Sequence, residues 1–330
     1  NKILTKVARR RKGEEIIKEI NTKLKRGWNP FESDQLKFRT VSEALDHVMK
    51  IKAATISKRS QWTYNSVIKH FNTYLKKQKL DKMPVDEINV PVIQDYFDHM
   101  LINETISKRT YNNRLTPLKT LFTLMLKREI ILFNPFISID KLKVNDPEIT
   151  AFTKKELAVI KSTLPKENYE LYVISQLIYY CFLRPAEIVR LQYKDILYQH
   201  DLIVIPGSKS KNGKSQVIII PDSFKKNLKN WDLNYPDDHY IFSTNLKSGT
   251  RQVAPTRIAG QWRKYADRYG IKKGIYDFKH TGNGMAFDQG FNARDIQLQN
   301  RHSSLDETQK YLNKFRRTPS EKFKSDYNGY

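Results

Sequence analysis

Apolar residues in the first half of the chain recur every three or four positions, the spacing that places side chains on one face of an α-helix. Three such segments lie between residues 64 and 125. Before them, Thr40 and Glu43 form a T-x-x-E pattern, which predicts a capped helix start. The pattern therefore predicts a helical domain whose aromatic side chains form a core rather than a base-stacking surface. The apolar faces consist of Tyr64, Val67, Ile68, Phe71, Tyr74 and Leu75, then Val92, Ile93, Tyr96, Phe97, Met100 and Leu101, then Tyr111, Leu115, Leu118, Phe122 and Met125.

The pattern changes after Asn134-Pro135, a pair that ends the helical block because the residue before a proline disfavours the helical conformation. Residues 141–150 have the composition of a linker between domains. Farther along, two β-branched runs at 201–206 and 215–221 enclose Asn212-Gly213. Asn-Gly between two strand-like runs is a strong hairpin signal. Helical spacing dominates the rest of the second half.

These signals predict a mainly α-helical fold with one small antiparallel β-sheet, divided into two domains. A buried helix is expected over 169–182, and Thr153 with Glu156 repeats the T-x-x-E pattern where the second domain begins. The predicted organisation is a basic N-terminal extension over 1–37, a helical domain over 38–140, a linker over 141–150 and a mixed domain over 151–330.

The balance of charge points to a polyanionic partner. The chain has 59 Lys and Arg residues against 35 Asp and Glu residues, a formal net charge of +24. Such an excess favours nucleic acid, whose phosphates bind cationic side chains irrespective of base sequence. A basic protein that binds an anionic membrane or ribosomal RNA would share this feature. The basic run over 9–12 fits either a solvated tail or an arm that contacts DNA. Candidates for phosphate contact on the predicted helices are Lys58, Arg59, Lys108, Arg109, Arg114 and Lys119.

Several features that other classes of protein require are missing from the sequence. Cys181 is the only cysteine, so an intrachain disulfide is impossible, which fits a reducing cytoplasm. The most apolar stretch, 171–183, is interrupted by Gln176 and is too short to span a bilayer. Cysteine pairs, zinc-like histidine spacings and glycine-rich phosphate loops do not occur, so we expect neither a metal nor another cofactor. We expect a cytoplasmic protein without a membrane partner.

Four short polar segments in the second domain carry the residue types that phosphodiester cleavage by a tyrosine requires. They span 181–191, 207–215, 276–281 and 301–311. Such cleavage needs a phenol that loses its proton, cations on the non-bridging oxygens and an acid that protonates the leaving 5′ oxygen. Arginine suits the second task because its planar fork matches two oxygens, and a lysine on a mobile hairpin can perform the third. We therefore expect the four segments to converge on one phosphate.

In order and spacing these segments resemble the tyrosine recombinase (phage integrase) family, and the resemblance covers most of the chain. The sequence LRPAE at 183–187 matches the family's L-R-x-x-E box, which implies Arg184 as a catalytic arginine. The last segment matches a G-H-x-x-x-x-x-T-x-x-Y box, with Arg301 in place of the glycine. This match implies His302 as a catalytic residue and Tyr311 as the nucleophile.

The same resemblance implies that the hairpin supplies the general acid. The family's hairpin lysine corresponds to Lys211, and Lys209 and Lys214 are close enough to be rivals or to contact DNA. Glu187 is expected to hold the L-R-x-x-E motif in its conformation rather than to take part in the chemistry. Ser304 and Glu307 form a further capping pattern, so we predict that Tyr311 lies on a short helix.

One box departs from the family pattern. The family's H-x-x-R-H-T occurs here as Tyr276-x-x-Lys279-His280-Thr281. Lys279 keeps a positive charge but lacks the bidentate fork of arginine. Tyr276 can hydrogen-bond a phosphate oxygen but is a poor base at neutral pH. Both are retained as catalytic candidates, whereas His280 is expected to face elsewhere on its helix and to be mainly structural.

The resemblance implies a two-domain clamp on duplex DNA, with 38–140 as a SAM-like core-binding domain and 151–330 as the catalytic domain. It implies site-specific recombination through a 3′-phosphotyrosine and a Holliday junction, with four protomers on two DNA sites. Accessory DNA-bending or directionality proteins and a bacterial or phage origin are further implications. The basic extension favours a mobile-element integrase over a Xer-type resolvase. The tail over 316–330 is expected to dock on a neighbouring protomer.

Two other functions stay open at this point. The substitutions at Lys279 and Tyr276 would also suit a non-catalytic DNA-binding descendant of the family. A type IB topoisomerase uses the same chemistry, although the core-binding layout argues against it.

Overall fold

The computed structural model describes residues 5–25, 40–145, 150–207, 213–228 and 231–313. The chain divides into two compact units, Asn1–Asp146 and Pro147–Tyr330. The units are mainly helical, and the second contains a three-stranded antiparallel sheet, which confirms the predicted fold class. The expected docking segment at 316–330 lies outside the described residues.

The first unit is built from helices around an aromatic core. Phe71, Tyr96, Phe97 and Phe122 are fully buried and meet one another or Phe136 largely edge to face. The predicted capping box at Thr40 is present, so the first helix of this core begins where the sequence indicates. The helices around this core are α2 Val41–Ala53, α3 Lys58–Lys77, α4 Val90–Ile102 and α5 Lys108–Lys127, and the largely exposed α1 Lys6–Lys25 precedes them.

The second unit surrounds its sheet with helices. The order of strands is β1-β2-β3, and the antiparallel pairing of β2 with β3 confirms the predicted hairpin. The short strand β1 was not expected from the pattern. The strands are β1 Ile196–Leu197, β2 Leu202–Ile205 and β3 Gln216–Ile219. The helices are α6 Lys154–Glu167, α7 Tyr169–Tyr180, α8 Pro185–Ile188, α9 Asp222–Asn227, α10 Pro255–Arg268, α11 Asp277–Asp288, α12 Ala293–Asn300 and α13 Leu305–Leu312.

Helix α7 ends two residues earlier than predicted, because Phe182 adopts a left-handed backbone with φ of 50°. Helix α11 then packs closely on the end of α7. A Cβ atom on Gly282 would lie 2.0 Å from the Tyr179 carbonyl oxygen, so only glycine permits this approach. The Phe152 N–H donates to Thr281 Oγ1 at 2.8 Å and fixes α11 to the start of the unit. These contacts determine where α11 places Lys279 and His280.

Candidate active site

Two arginines share one buried carboxylate in the second unit. Arg184 precedes α8; its main-chain N–H donates to Glu187 Oε2 at 2.8 Å and its guanidinium donates to Oε1 at 2.9 Å. Arg301 Nη2 donates to Oε2 at 2.7 Å, and the side chains of Arg301 and Glu187 are only 2% and 7% exposed. Burial alone would raise the pKa of Glu187, but attraction from both arginines lowers it below its usual range. The ionised carboxylate thereby holds the Arg184 guanidinium in place.

Lys279 and Arg301 both donate hydrogen bonds to the main-chain carbonyl oxygen of Phe182. Lys279 is 1% exposed, and its ammonium donates to the Phe182 carbonyl oxygen at 2.7 Å. Arg301 Nη2 donates to the same oxygen at 3.2 Å. Burial, followed by repulsion from Arg184 and Arg301, holds the pKa of Lys279 well below its usual range. Lys279 thus has a supporting position, with its amino group directed at protein rather than at solvent.

Tyr311 lies on α13, as the capping pattern predicted. The Ser304 hydroxyl accepts the Glu307 N–H and caps the helix. The Glu307 carboxylate accepts from the N–H and hydroxyl of Ser303 instead of from the Ser304 main chain. Ser304 and Glu307 therefore do not form the reciprocal capping box. The Ser304 cap still fixes the first turn of α13, and Tyr311 lies in the turn that follows.

The Tyr311 phenol contacts a histidine. Its Oη lies 2.5 Å from His280 Nδ1, and the two ring centroids are 5.5 Å apart. Tyr276, one turn before His280, places its ring 5.1 Å from the imidazole, and its hydroxyl oxygen accepts a hydrogen bond from Arg184. Burial, together with Tyr276 and Asp277, raises the pKa of Tyr311, so the phenol is protonated at neutral pH. The expectation that His280 faces away from the site is wrong.

His302 lies on another side of the same tyrosine. Its ring is edge-to-face with Tyr311 at 5.8 Å between centroids, and its Nδ1 lies 2.9 Å from Thr308 Oγ1. Burial and then repulsion from Lys279 lower the pKa of His302 to about 4. The imidazole is therefore neutral at pH 7, and because Thr308 engages Nδ1, its Nε2 can bind an oxygen of a ligand.

The structure brings five of the six predicted catalytic residues into one cluster: Arg184, Tyr276, Lys279, His302 and Tyr311. The sixth, Lys211, and its rival Lys209 lie outside the described residues. The other rival, Lys214, is described and exposed.

The predicted phosphate contacts of the first unit fall into two groups. Arg114 forms an ion pair with Glu104 at 2.9 Å, and Lys119 Nζ donates to the Ile137 carbonyl at 3.1 Å, so both have partners within the unit. The others are exposed at the starts of α3 and α5: Lys58, Arg59, Lys108 and Arg109.

Sequence reasoning missed two residues of the cluster, His280 as a contact of the tyrosine and Arg301 as a contact of Glu187. A signal existed for each. His280 follows Tyr276 by four residues, the spacing that places two side chains on one helix face. Arg301 stands where the family box has glycine, and its φ of 60° is a conformation that glycine adopts more easily.

Groups of three or more side chains that could ligate a metal do not occur in the described ranges. Within the same part of the chain, no helix is long and apolar enough to cross a membrane.

Two family models match the chain in succession. The phage integrase SAM-like domain matches residues 40–144, and the phage integrase family matches residues 147–317. Among curated relatives, tyrosine recombinase XerA of Pyrococcus furiosus is 26% identical over 162 residues, which cover 49% of this chain and 56% of the relative. A tyrosine recombinase of Pseudothermotoga lettingae is 23% identical over 277 residues, 82% of this chain and 91% of the relative. The chain thus spans about half the length of the first relative and most of the second.

Solved structures share the fold. The Tn1549 transposon integrase in complex with a circular intermediate DNA has a TM-score of 0.69 at 15% identity, over 88% of this chain and 99% of that chain. A lambda integrase tetramer bound to a Holliday junction has a TM-score of 0.66 at 15% identity, over 88% of each chain. With both units matched by family models and with an arginine, a histidine and a tyrosine gathered at one site, the chain belongs to the phage integrase family.

Proposed function

We propose that this protein is a tyrosine recombinase, which cuts and rejoins DNA strands at specific sites with Tyr311 as the nucleophile. The observation that carries the proposal is the convergence of Tyr311, His302 and Arg184 in one cluster. Tyr311 Oη attacks the scissile phosphorus, a 3′-phosphotyrosine forms and the 5′ oxygen leaves. Attack by the 5′ hydroxyl of another strand reverses the step. Because the phosphotyrosine conserves the bond energy, neither ATP nor a metal is needed.

The cations and donors of the cluster suit the phosphorane-like transition state. The Arg184 guanidinium donates to two non-bridging oxygens of the phosphate, and its hydrogen bond to Glu187 orients it. His302 Nε2 and the Tyr276 hydroxyl donate to the same oxygens. Lys211, on the hairpin outside the described residues, is assigned as the acid that protonates the leaving 5′ oxygen. Lys279 supports the others through the Phe182 carbonyl.

The partner in this proposal is duplex DNA that carries recombination sites, held by four protomers on two sites. The net charge of +24 supports a DNA ligand. The lambda integrase structure, a tetramer bound to a Holliday junction, supports the stoichiometry and the intermediate. We favour a mobile-element integrase because of the basic residues over 1–37 and the likeness to a transposon integrase. Accessory DNA-bending or directionality proteins would then act on the same complex.

A nicked suicide substrate that carries the native site tests the proposal. The wild-type protein should form a covalent adduct, visible as a shifted band under denaturing conditions, because the short strand beyond the nick diffuses away. Tyr311→Phe should abolish the adduct and retain DNA binding, since only the nucleophilic oxygen is removed.

Other outcomes would point to other functions. Tight binding with no adduct from the wild-type protein would contradict the proposal in favour of a non-catalytic DNA-binding protein. Relaxation of a supercoiled plasmid without the site would favour a type IB topoisomerase.

A further inference from the structure

We propose that His280 is a catalytic residue, which accepts the proton of Tyr311 as the phenol oxygen attacks phosphorus. The inference rests on the proposed function, because it assigns one step of that reaction. The geometry supports it, because Nδ1 and Oη are 2.5 Å apart and thus in hydrogen-bond contact, which a general base requires with the group whose proton it takes.

The alternatives within the cluster have other partners. Tyr276 occupies the family's histidine position, but its hydroxyl binds Arg184, and a phenol is a poor proton acceptor at neutral pH. His302 Nδ1 binds Thr308, and its ring meets Tyr311 edge to face. His280, one turn after Tyr276 on α11, therefore places an imidazole against the phenol.

The proton balance is complete within the site. As the Oη–P bond forms and the P–O5′ bond breaks, the phenol proton moves to His280 Nδ1, which must start as the neutral, unprotonated nitrogen. The leaving 5′ oxygen takes its proton from the general acid assigned to Lys211. In ligation the imidazolium returns its proton to Oη when the 5′ hydroxyl displaces the tyrosine.

The surroundings of Tyr311 oppose ionisation of its phenol, so attack requires a base. Burial raises the pKa of Tyr311, so the phenol does not ionise without help at neutral pH. Charged and titratable groups near the phenol include Tyr276 and Asp277 at the start of α11, Arg184 before α8 and His302 before α13. Tyr276 and the Asp277 carboxylate raise the pKa of Tyr311, whereas Arg184 lowers it.

Two substitutions separate proton transfer from simple positioning. In His280→Asn an amide oxygen can occupy the place of Nδ1 and accept the hydrogen bond, but it cannot take the proton. His280→Ala leaves a space that free imidazole can enter. Single-turnover adduct formation should fall by about 10²-fold or more in both variants, and added imidazole should restore it in His280→Ala only. His200→Asn, at an exposed histidine of the same unit, serves as a control with wild-type cleavage.

Rescue by imidazole supplies a readout that a structural role would not move, because the added base can only replace a group that takes the proton. Wild-type rates in a folded His280→Asn would overturn the inference and leave the proposed function intact. The inference would also be overturned if cleavage by His280→Ala were slow and added imidazole did not increase its rate. Loss of the adduct in the wild-type protein would instead count against the proposed function.

Discussion

Arg301 is the residue whose backbone and side chain are most constrained at the site. A left-handed backbone costs a residue other than glycine about 1 kcal/mol. The Arg301 guanidinium offsets this cost, because it pairs with buried Glu187 and donates to the carbonyls of Phe182 and Gln299. With this guanidinium in place, the pocket accommodates the smaller ammonium of Lys279 where the family box has arginine. Positions 279 and 301 therefore have to be considered together.

Lys279→Arg should slow strand cleavage, even though it restores the family's residue. Arg301 Nε already has no acceptor among the described residues. A guanidinium at this buried position would add unpaired donors. Burial lowers the pKa of the lysine, whereas an arginine would always keep its charge beside Arg184 and Arg301. We expect cleavage about tenfold slower, measured as single-turnover adduct formation, because an unsatisfied buried donor costs about 1–3 kcal/mol.

The double variant Lys279→Arg/Arg301→Gly should recover much of the lost rate. Glycine relieves the left-handed backbone and removes the competing guanidinium, so the arginine at 279 can take over the contact with Glu187. Arg301→Gly alone should be the least active of the three, since it leaves the buried Glu187 carboxylate with one partner fewer. A double variant no faster than Lys279→Arg would show that the two positions act independently.

At the scale of elements, sequence motifs predicted the features that depend on one short segment of the chain, such as a capped helix. Arg184 directly precedes α8, and Tyr311 lies near the end of the short helix α13. The caps of both helices are encoded within a few residues, so motif spacing was sufficient to place the two side chains on these elements. The contact of His280 with Tyr311 depends on the packing of α11 beside α13, and the burial of Lys279 depends on α11 against α7. Such packing joins segments far apart in sequence, which periodicity does not report.

Gly282→Ala tests how strictly α11 is held on α7. The added methyl would lie 2.0 Å from the Tyr179 carbonyl oxygen, so the helix has to shift and carry His280 with it. We expect destabilisation of about 1–3 kcal/mol in urea unfolding together with slower adduct formation. Gly260→Ala in α10 is the matched control, because its methyl meets nothing within 4 Å. That change should stabilise the protein by about 0.5–1 kcal/mol and leave cleavage unaltered, and equal effects from both variants would contradict the close packing.

For the whole molecule, the excess of positive charge predicted a nucleic-acid ligand, but charge alone does not say which side chains bind it. Helices α3 and α5 each begin with a serine cap followed by Lys-Arg, at 57–59 and 107–109. Their exposed cations lie at the helix ends where main-chain N–H groups also attract anions. Arg114 and Lys119, which the sequence offered as candidates for phosphate contact, have partners within their own unit.

The salt dependence of DNA binding distinguishes these groups. Each phosphate contact contributes a slope of about −0.9 to the plot of log K against log salt concentration. Lys58→Ala combined with Lys108→Ala should therefore reduce the magnitude of the slope by about 2, measured by fluorescence anisotropy on the native site. Arg263→Ala combined with Arg268→Ala is the charge-matched control, because Arg263 pairs with Asp267 and Arg268 pairs with Glu167, and its slope should equal that of the wild type. If the double variant kept the wild-type slope, the starts of α3 and α5 would not be phosphate contacts, and the charge that binds DNA would have to be sought on other surfaces of the chain.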